Sequence, residues 1–187
     1  MKYGDVTMGQ VEAAINILGG IEGWNDLLAR KLEIVKKAIT DAVSYLVGTS
    51  KQVVNYGRSV KDSLKAGKYD WVNDDITDKN FPSKEEGERE VEFGLFHFNK
   101  VTQSDDNVAE MKKAGFRPAT IKEMLAYGEK NPEVQREFPV IALGSVARLS
   151  GYRRVGCLNG RGSGRRASLD CYGLDWSGYC RFLGVRI

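Results

Sequence analysis

A single histidine, His97, and three cysteines, Cys157, Cys171 and Cys180, are all that 187 residues offer for imidazole or thiolate chemistry. The cysteines stand 14 and 9 residues apart, and neither a CxxC pair nor an HExxH helix occurs, so no metal site and no cofactor is expected. An odd cysteine count argues against a disulfide framework. The start, MKYGDVTMGQ, has no apolar core of the kind a signal peptide needs, and no apolar run approaches the roughly 18 residues of a spanning helix; neither a signal peptide nor a membrane span is expected. With 42% apolar and 28% charged residues, the chain has the composition of a folded protein. His97 lies among apolar neighbours without a nucleophile motif beside it and reads as a buried structural histidine. Cys171 and Cys180 lack a nearby general base.

A second absence is regional. Residues 138–187 contain no Lys, Glu, Gln or Met, although the 137 residues before them hold 36 of these four types. Charge divides at the same place: 20 basic and 23 acidic residues precede it, and 8 arginines against Asp170 and Asp175 follow it. The run Gly160-Arg161-Gly162-Ser163-Gly164-Arg165-Arg166 has the composition of a phosphate-cradling loop but lacks the lysine such a loop needs, since the last lysine is Lys130. An arginine-rich nucleic-acid face, formed by these arginines with Arg153-Arg154, is the alternative reading.

Periodicity gives the element order. Thr7 and Gln10 form a capping-box pair ahead of Met8, Val11, Ile15 and Leu18, and Gly19-Gly20 ends that helix. Leu32, Val35, Ile39, Val43 and Leu46 continue at helical spacing, and Val53, Val60 and Leu64 suggest a third helix. Polar residues from Gly67 to Gly87 read as a linker, so residues 1–80 form a helix-rich N-terminal segment and 81–187 a second domain. Over 90–102 the period becomes two, with Val91, Phe93, Leu95 and His97 on one face and Phe96 and Phe98 on the other, a strand to be covered on both sides. Helices are expected from Ser104 to Lys113 and after the Thr120/Glu123 capping pair, then a strand at Pro139–Leu143, an irregular Gly-rich segment, and a last strand at Arg181–Ile187 that could pair with the first. The order is that of an α+β protein. Tyr152, Tyr172, Tyr179 and Trp176 stand among Ser, Gly, Asn, Asp and Arg, the mixture that serves antibody loops.

The segment Phe116-Arg117-Pro118-Ala119-Thr120, then Lys122-Glu123, then Gln135 to Ser145, resembles the run that precedes the variable region of diversity-generating retroelement variable proteins. The ending, Trp176 followed by Arg181-Phe182-Leu183-Gly184-Val185-Arg186, is similar to that family's closing W…RFLAVR, with Gly184 in the place of Ala, and Gln10–Gly20 is similar to family openings. The likeness covers the ends and about half the chain. It implies a C-type lectin fold of the formylglycine-generating-enzyme type in the C-terminal half, used for ligand display without catalysis, with a variable region at about 149–187. It also implies diversification at template adenines, typically in AAC codons, from which Lys, Glu, Gln, Met and Trp cannot be reached. That accounts for the compositional break beyond Leu149, and for cysteines placed without redox logic.

The resemblance makes Leu158, Arg165, Leu169, Trp176, Phe182 and Val185 scaffold positions. It makes Tyr152, Arg154, Gly156, Cys157, Asn159, Arg161, Arg166, Ser168, Asp170, Cys171, Tyr172, Gly173, Asp175, Ser177, Tyr179 and Cys180 the displayed, ligand-binding positions. Formylglycine chemistry needs a preformed cysteine pair, which these positions do not promise, and calcium-dependent sugar binding needs more carboxylates than Asp170 and Asp175 supply. The expected partner is a variable protein or glycan ligand on a host or neighbouring cell surface, with display on a virion or cell surface of a virus or small-genome microbe. A reverse transcriptase would act on the gene, not on the protein.

Overall fold

Both faces of the alternating run at 91–98 find a hydrophobic core, and this double burial organises the architecture. The computed structural model describes residue 16 and residues 20–187, with the elements α1 (Gly20–Ser44), β1 (Leu46–Asn55), α2 (Val60–Gly67), β2 (Trp71–Val72), β3 (Glu88–Phe96), α3 (Ser104–Lys113), β4 (Phe116–Pro118), α4 (Ile121–Lys130), α5 (Val134–Glu137), β5 (Val140–Leu149), β6 (Tyr152–Arg161), β7 (Gly164–Cys171) and β8 (Arg181–Arg186). The helix expected over 7–18 lies outside the described residues. The chain divides into two compact units between Asp41 and Ala42. The first carries most of α1, whose Ile21, Leu28, Leu32 and Ile34 are exposed. No described helix is long and apolar enough to cross a membrane.

The second unit is an α+β arrangement on one eight-stranded sheet in the order β1-β3-β8-β5-β6-β7-β2, with β4 pairing the end of β8. The first and last strands of the expected pattern do pair: Phe93 faces Val185 and Phe96 faces Phe182 across an antiparallel ladder. Side chains alternate across the sheet. Val140, Ala142, Leu158, Ala167, Leu183 and Val185 join Ile121, Met124 and Leu125 of α4 in one core. Ile141, Leu143, Val155, Cys157 and Phe182 join Met111 of α3, Phe116 and Trp176 in the other. The α4 capping box forms as its sequence predicts: Thr120 Oγ1 accepts from the Glu123 N–H, and Glu123 Oε2 accepts from the Thr120 N–H at 2.7 Å. Ser104 opens α3, but its side chain turns inward instead of capping.

Three expectations are corrected. Leu46–Asn55 is a strand, not helix: its β-branched residues pair antiparallel with β3, Ser50 opposite Phe93 and Val54 opposite Arg89, and this ladder outweighs a helical spacing of only a few apolar residues. Residues 67–87 are not an open linker, because β2 runs parallel to β7 and Ile76 and Phe81 are buried, so β1, α2 and β2 belong to the sheet unit. The Gly-rich segment beyond Leu143 is not irregular. β5, β6 and β7 form a meander through two-residue turns, Ser150-Gly151 with φ of 49° and 81°, and Gly162-Ser163 with Gly162 at 61°. Positive φ at both central residues, as at Ser150-Gly151, is what a type I′ hairpin requires, and a glycine with positive φ at the first alone, as at Gly162, is what type II′ requires.

Gly184 illustrates how closely the second core is packed. It faces Gly94 across the β3–β8 ladder, and a Cβ at 184 would stand 2.8 Å from Met111 Cε and 3.2 Å from both Phe116 Cβ and Phe96 Cε2. The nearest neighbour is the end of a flexible side chain, but the alanine of the resembled ending would fit only if Met111 shifts and both phenylalanines give by a few tenths of an ångström.

Candidate ligand-binding face

The strand alternation that builds the two cores also decides which candidate residues share a surface. On β6, Val155 and Cys157 point into the second core, and the same side of the strand carries Arg153, Asn159 and Arg161. Across the register, Val155 faces Asp170, Cys157 faces Ser168, and Asn159 faces Arg166, which in turn lies beside Trp71 of β2. Asn159, Arg161, Arg166, Ser168 and Asp170 therefore emerge on one side of the sheet, where the second core ends. The Arg166 guanidinium lies 4.2 Å from the centre of the Trp71 ring, which is 42% exposed. Asn159 Nδ2 donates to Ser168 Oγ at 2.9 Å, and Ser168 Oγ donates to the Cys157 carbonyl at 3.1 Å, so the centre of the face is held in place.

The loop after β7 roofs the second core and supplies the rest. Ser104 Oγ donates to the Tyr172 carbonyl at 2.6 Å and accepts from Trp176 Nε1 at 2.7 Å. Thr102 and Trp176 exchange both backbone hydrogen bonds, and Gln103 bonds Asp175. His97 is half-buried and structural: with the proton on Nε2 it donates to the Gly178 carbonyl at 2.9 Å. Held this way, the loop leaves Gly173, Asp175, Ser177 and Tyr179 exposed, Tyr179 at 59%, with its hydroxyl donating to the Glu137 carbonyl. Cys171 and Cys180 are half-buried. A recess of about 200 Å³ lies between α5 and β6, lined by Arg136, Phe138, Asn159 and Tyr179 among others. Gly178 has no room for a side chain, since a Cβ would stand 2.8 Å from the Lys100 nitrogen. Gly178→Ala is expected to cost about 1–3 kcal/mol by overpacking, measured as a lower melting temperature with a shifted Trp176 emission.

Three candidate positions are not displayed. Gly156 lies against α4, where a Cβ would come within 2.5 Å of Ile121 Cδ1. Cys157 is 2% exposed, and burial pushes its thiol up to about 12, so it stays protonated at neutral pH. Tyr172 is 8% exposed, its ring 3.9 Å beneath the Arg153 guanidinium and its hydroxyl donating to Asp105 at 2.6 Å. Burial, then the Asp105 bond, raises its pKa. Tyr152 and Arg154 are at the surface but on the α4 side of the sheet, beside Leu149, Leu169 and Asn73, with Arg154 stacked 5.4 Å from the Tyr152 ring. They do not join the other face. Of the scaffold positions, Leu158, Arg165, Trp176, Phe182 and Val185 are buried and Leu169 is half-buried.

Trp71 escaped the sequence reading, and Arg153 entered it only in the nucleic-acid alternative. Trp71 stood in apparent linker, and nothing in its neighbourhood signalled a strand. Arg153 was recoverable from alternation, because it shares parity with Asn159 and Arg161. Among the described residues no group of three or more His, Cys, Asp or Glu is placed to hold a metal ion. No family model, no curated protein and no solved structure matches the chain.

Proposed function

We propose that this chain is a non-enzymatic ligand-binding protein of C-type lectin type whose surface is diversified by adenine-directed mutagenesis, with the β6–β7 face and the loop 173–179 as the binding surface. One observation carries the reading: outward-facing Asn159, Arg161, Arg166, Ser168 and Asp170 alternate along two strands with inward-facing Leu158, Arg165 and Ala167. A scaffold of that kind lets exposed side chains change while the buried ones keep the fold. Tyr179, Trp71 and the arginines supply rigid contact area with polar, adaptable neighbours, the composition of protein- and glycan-binding paratopes. The virion or cell-surface setting and the retroelement origin rest on the resemblance of Phe116–Ser145 and Trp176–Arg186 described above.

Two experiments test it. Nucleotide sequencing of the gene and its surroundings is expected to find a near-identical non-coding repeat of the 3′ end, differing only at its adenines, next to a reverse transcriptase; differences at random bases overturn the reading. A randomised library at Arg161, Asp170, Ser177 and Tyr179 is expected to stay folded, each change altering stability by no more than about 0.5 kcal/mol, whereas randomised Leu158 and Trp176 yield few folded members. The measurement is protease resistance of the displayed library. Binding of random DNA with a steep loss on adding salt would assign the arginines to nucleic acid instead.

A further inference from the structure

A second recess lies away from the β6–β7 face, between α3 and the chain that leads from β3 into it. Its volume is about 410 Å³, within the range of small-ligand sites. Asn107 of α3 lines it with 1% of its surface exposed, and neither its Oδ1 nor its Nδ2 has a hydrogen-bond partner among the described residues. Thr102 lines it too, is 9% exposed, and its hydroxyl is also unpartnered. Buried amides and hydroxyls are almost always paired, so two unpaired groups at one recess are a strong departure. They do not arise from a loose backbone: Thr102 is tied on both sides to Trp176, and the Asn107 N–H donates to the Gln103 carbonyl at 3.1 Å within the helix. One buried acceptor, a two-hydrogen donor and a hydroxyl are thus left unpaired in the wall of this recess.

The remaining walls restrict what could satisfy them. Tyr45 and Phe98 present rings whose centres are 4.9 Å apart, with Lys100 Nζ 5.9 Å from the Tyr45 ring. Among the described residues charge at the rim balances: Lys100 and Lys113 stand against Asp106 and Glu110, and Lys113 pairs Glu110 at 2.6 Å. An ion would gain nothing from such a rim, and an apolar molecule would leave the amide unpaired. A neutral polyol meets both demands, because its hydroxyls donate and accept while its C–H faces pack on aromatic rings.

The geometry points to a binding site for a neutral saccharide unit, held by Asn107 and Thr102 against Tyr45 and Phe98. This goes beyond the display reading and does not depend on it. The test uses the full chain and four free sugars, glucose, galactose, mannose and N-acetylglucosamine, at millimolar concentration, followed through the Asn107 side-chain amide signal by NMR. At least one sugar is expected to shift that signal saturably. Asn107→Leu and Thr102→Val, near-isosteric and apolar, are each expected to weaken the response about tenfold or more, with Thr102→Val read at the Asn107 signal and Asn107→Leu at neighbouring backbone amides. Both are expected to keep or raise the melting temperature, since each removes an unpaired buried polar group. A wild-type protein in which none of the four sugars moves the signal overturns the proposal. So does a response to acetamide but to no sugar, which would mark a peptide site, and so does a sugar response that survives both substitutions. If the leucine variant fails to fold, Thr102→Val decides alone.

Discussion

Replacing Arg165 by leucine is expected to lower the stability of the sheet unit by about 3 kcal/mol or more, measured as a shift in the urea midpoint at unchanged slope. Arg165 is buried on β7, and its guanidinium reaches three acceptors. Nη1 donates to the Gly67 carbonyl at 2.6 Å, and Nη2 donates to the Gly128 carbonyl at 2.6 Å and to Gln135 Oε1 at 3.1 Å. One side chain thus ties the ends of α2 and α4 and the short α5 to the hairpin that carries the proposed binding face. Tyr69 fills the space beneath: its ring lies 4.9 Å from the guanidinium, and side chains at Gly67 or Gly128 would collide with it at 2.4 Å. Leucine removes the charge but leaves three carbonyl-type acceptors in a space already closed to water. For a chain of this size the loss corresponds to a melting temperature lower by roughly 10 °C.

Lysine at 165 is a sharper probe of the same arrangement. It keeps the charge but replaces a planar fork by a point donor, which cannot serve carbonyls lying at the ends of two different helices while stacking on Tyr69. An intermediate loss is expected. A lysine variant with the wild-type midpoint would mean that the charge, and not the fork, is what the site uses. The same variants inform the function, because Gln135 Nε2 also donates to the Asn159 and Arg166 carbonyls, so the clamp and the display face share one residue.

How much of this was legible in the sequence depends on what each feature needed. The α4 cap was readable because Thr120 and Glu123 satisfy each other locally, and β3 was readable because both of its faces alternate over many residues. The pairing of β3 with β8 followed from two apolar, alternating terminal runs. β1 was not readable, because Leu46 and Val53 fall at helical spacing by chance while the ladder that settles the matter comes from residues some forty positions away. The β5–β6 hairpin carried a signal that composition hid: Ser150-Gly151 is a turn pair flanked by alternating residues. Recognising it would have fixed the parity of β6, separated Tyr152 and Arg154 from Asn159 and Arg161, and brought Arg153 in. The burial of Cys157 follows from the same parity. Trp71 could not be found this way, since a two-residue parallel strand has too few positions to show a period.

Glu123 carries the second large effect. It is fully buried, and every partner it has is a donor: Arg117 in a two-pronged pair at 2.6 and 2.9 Å, the Thr120 N–H and hydroxyl, and the Tyr56 hydroxyl at 2.5 Å. Burial on its own would raise the carboxyl pKa, but the hydrogen bonds from Arg117, Thr120 and Tyr56 outweigh it and hold the group below its ordinary 4.5. The same network pushes the Tyr56 hydroxyl up, first through burial and then through its bond to Glu123. Glu123→Ala strands a half-buried N–H, a buried phenol and a half-buried guanidinium together, and is expected to cost about 3–5 kcal/mol. Glu123→Gln keeps the shape but turns one acceptor into a donor facing donors, so it is expected to recover only part of that loss. The pH dependence has a definite sign. A carboxyl with a depressed pKa in the fold binds fewer protons there than in the unfolded chain, so its contribution is fully present above about pH 4.5 and is lost as the pH falls through the folded value. Wild-type melting temperature is therefore expected to fall steeply on acidification below pH 4.5, and that of Glu123→Gln to fall less. Glu92, held down by its bond from Arg186, leaves a smaller acid dependence in both. Parallel acid limbs in the two proteins would mean that Glu123 titrates alike folded and unfolded, and that the network beneath α4 is not what anchors this end of the helix to the sheet.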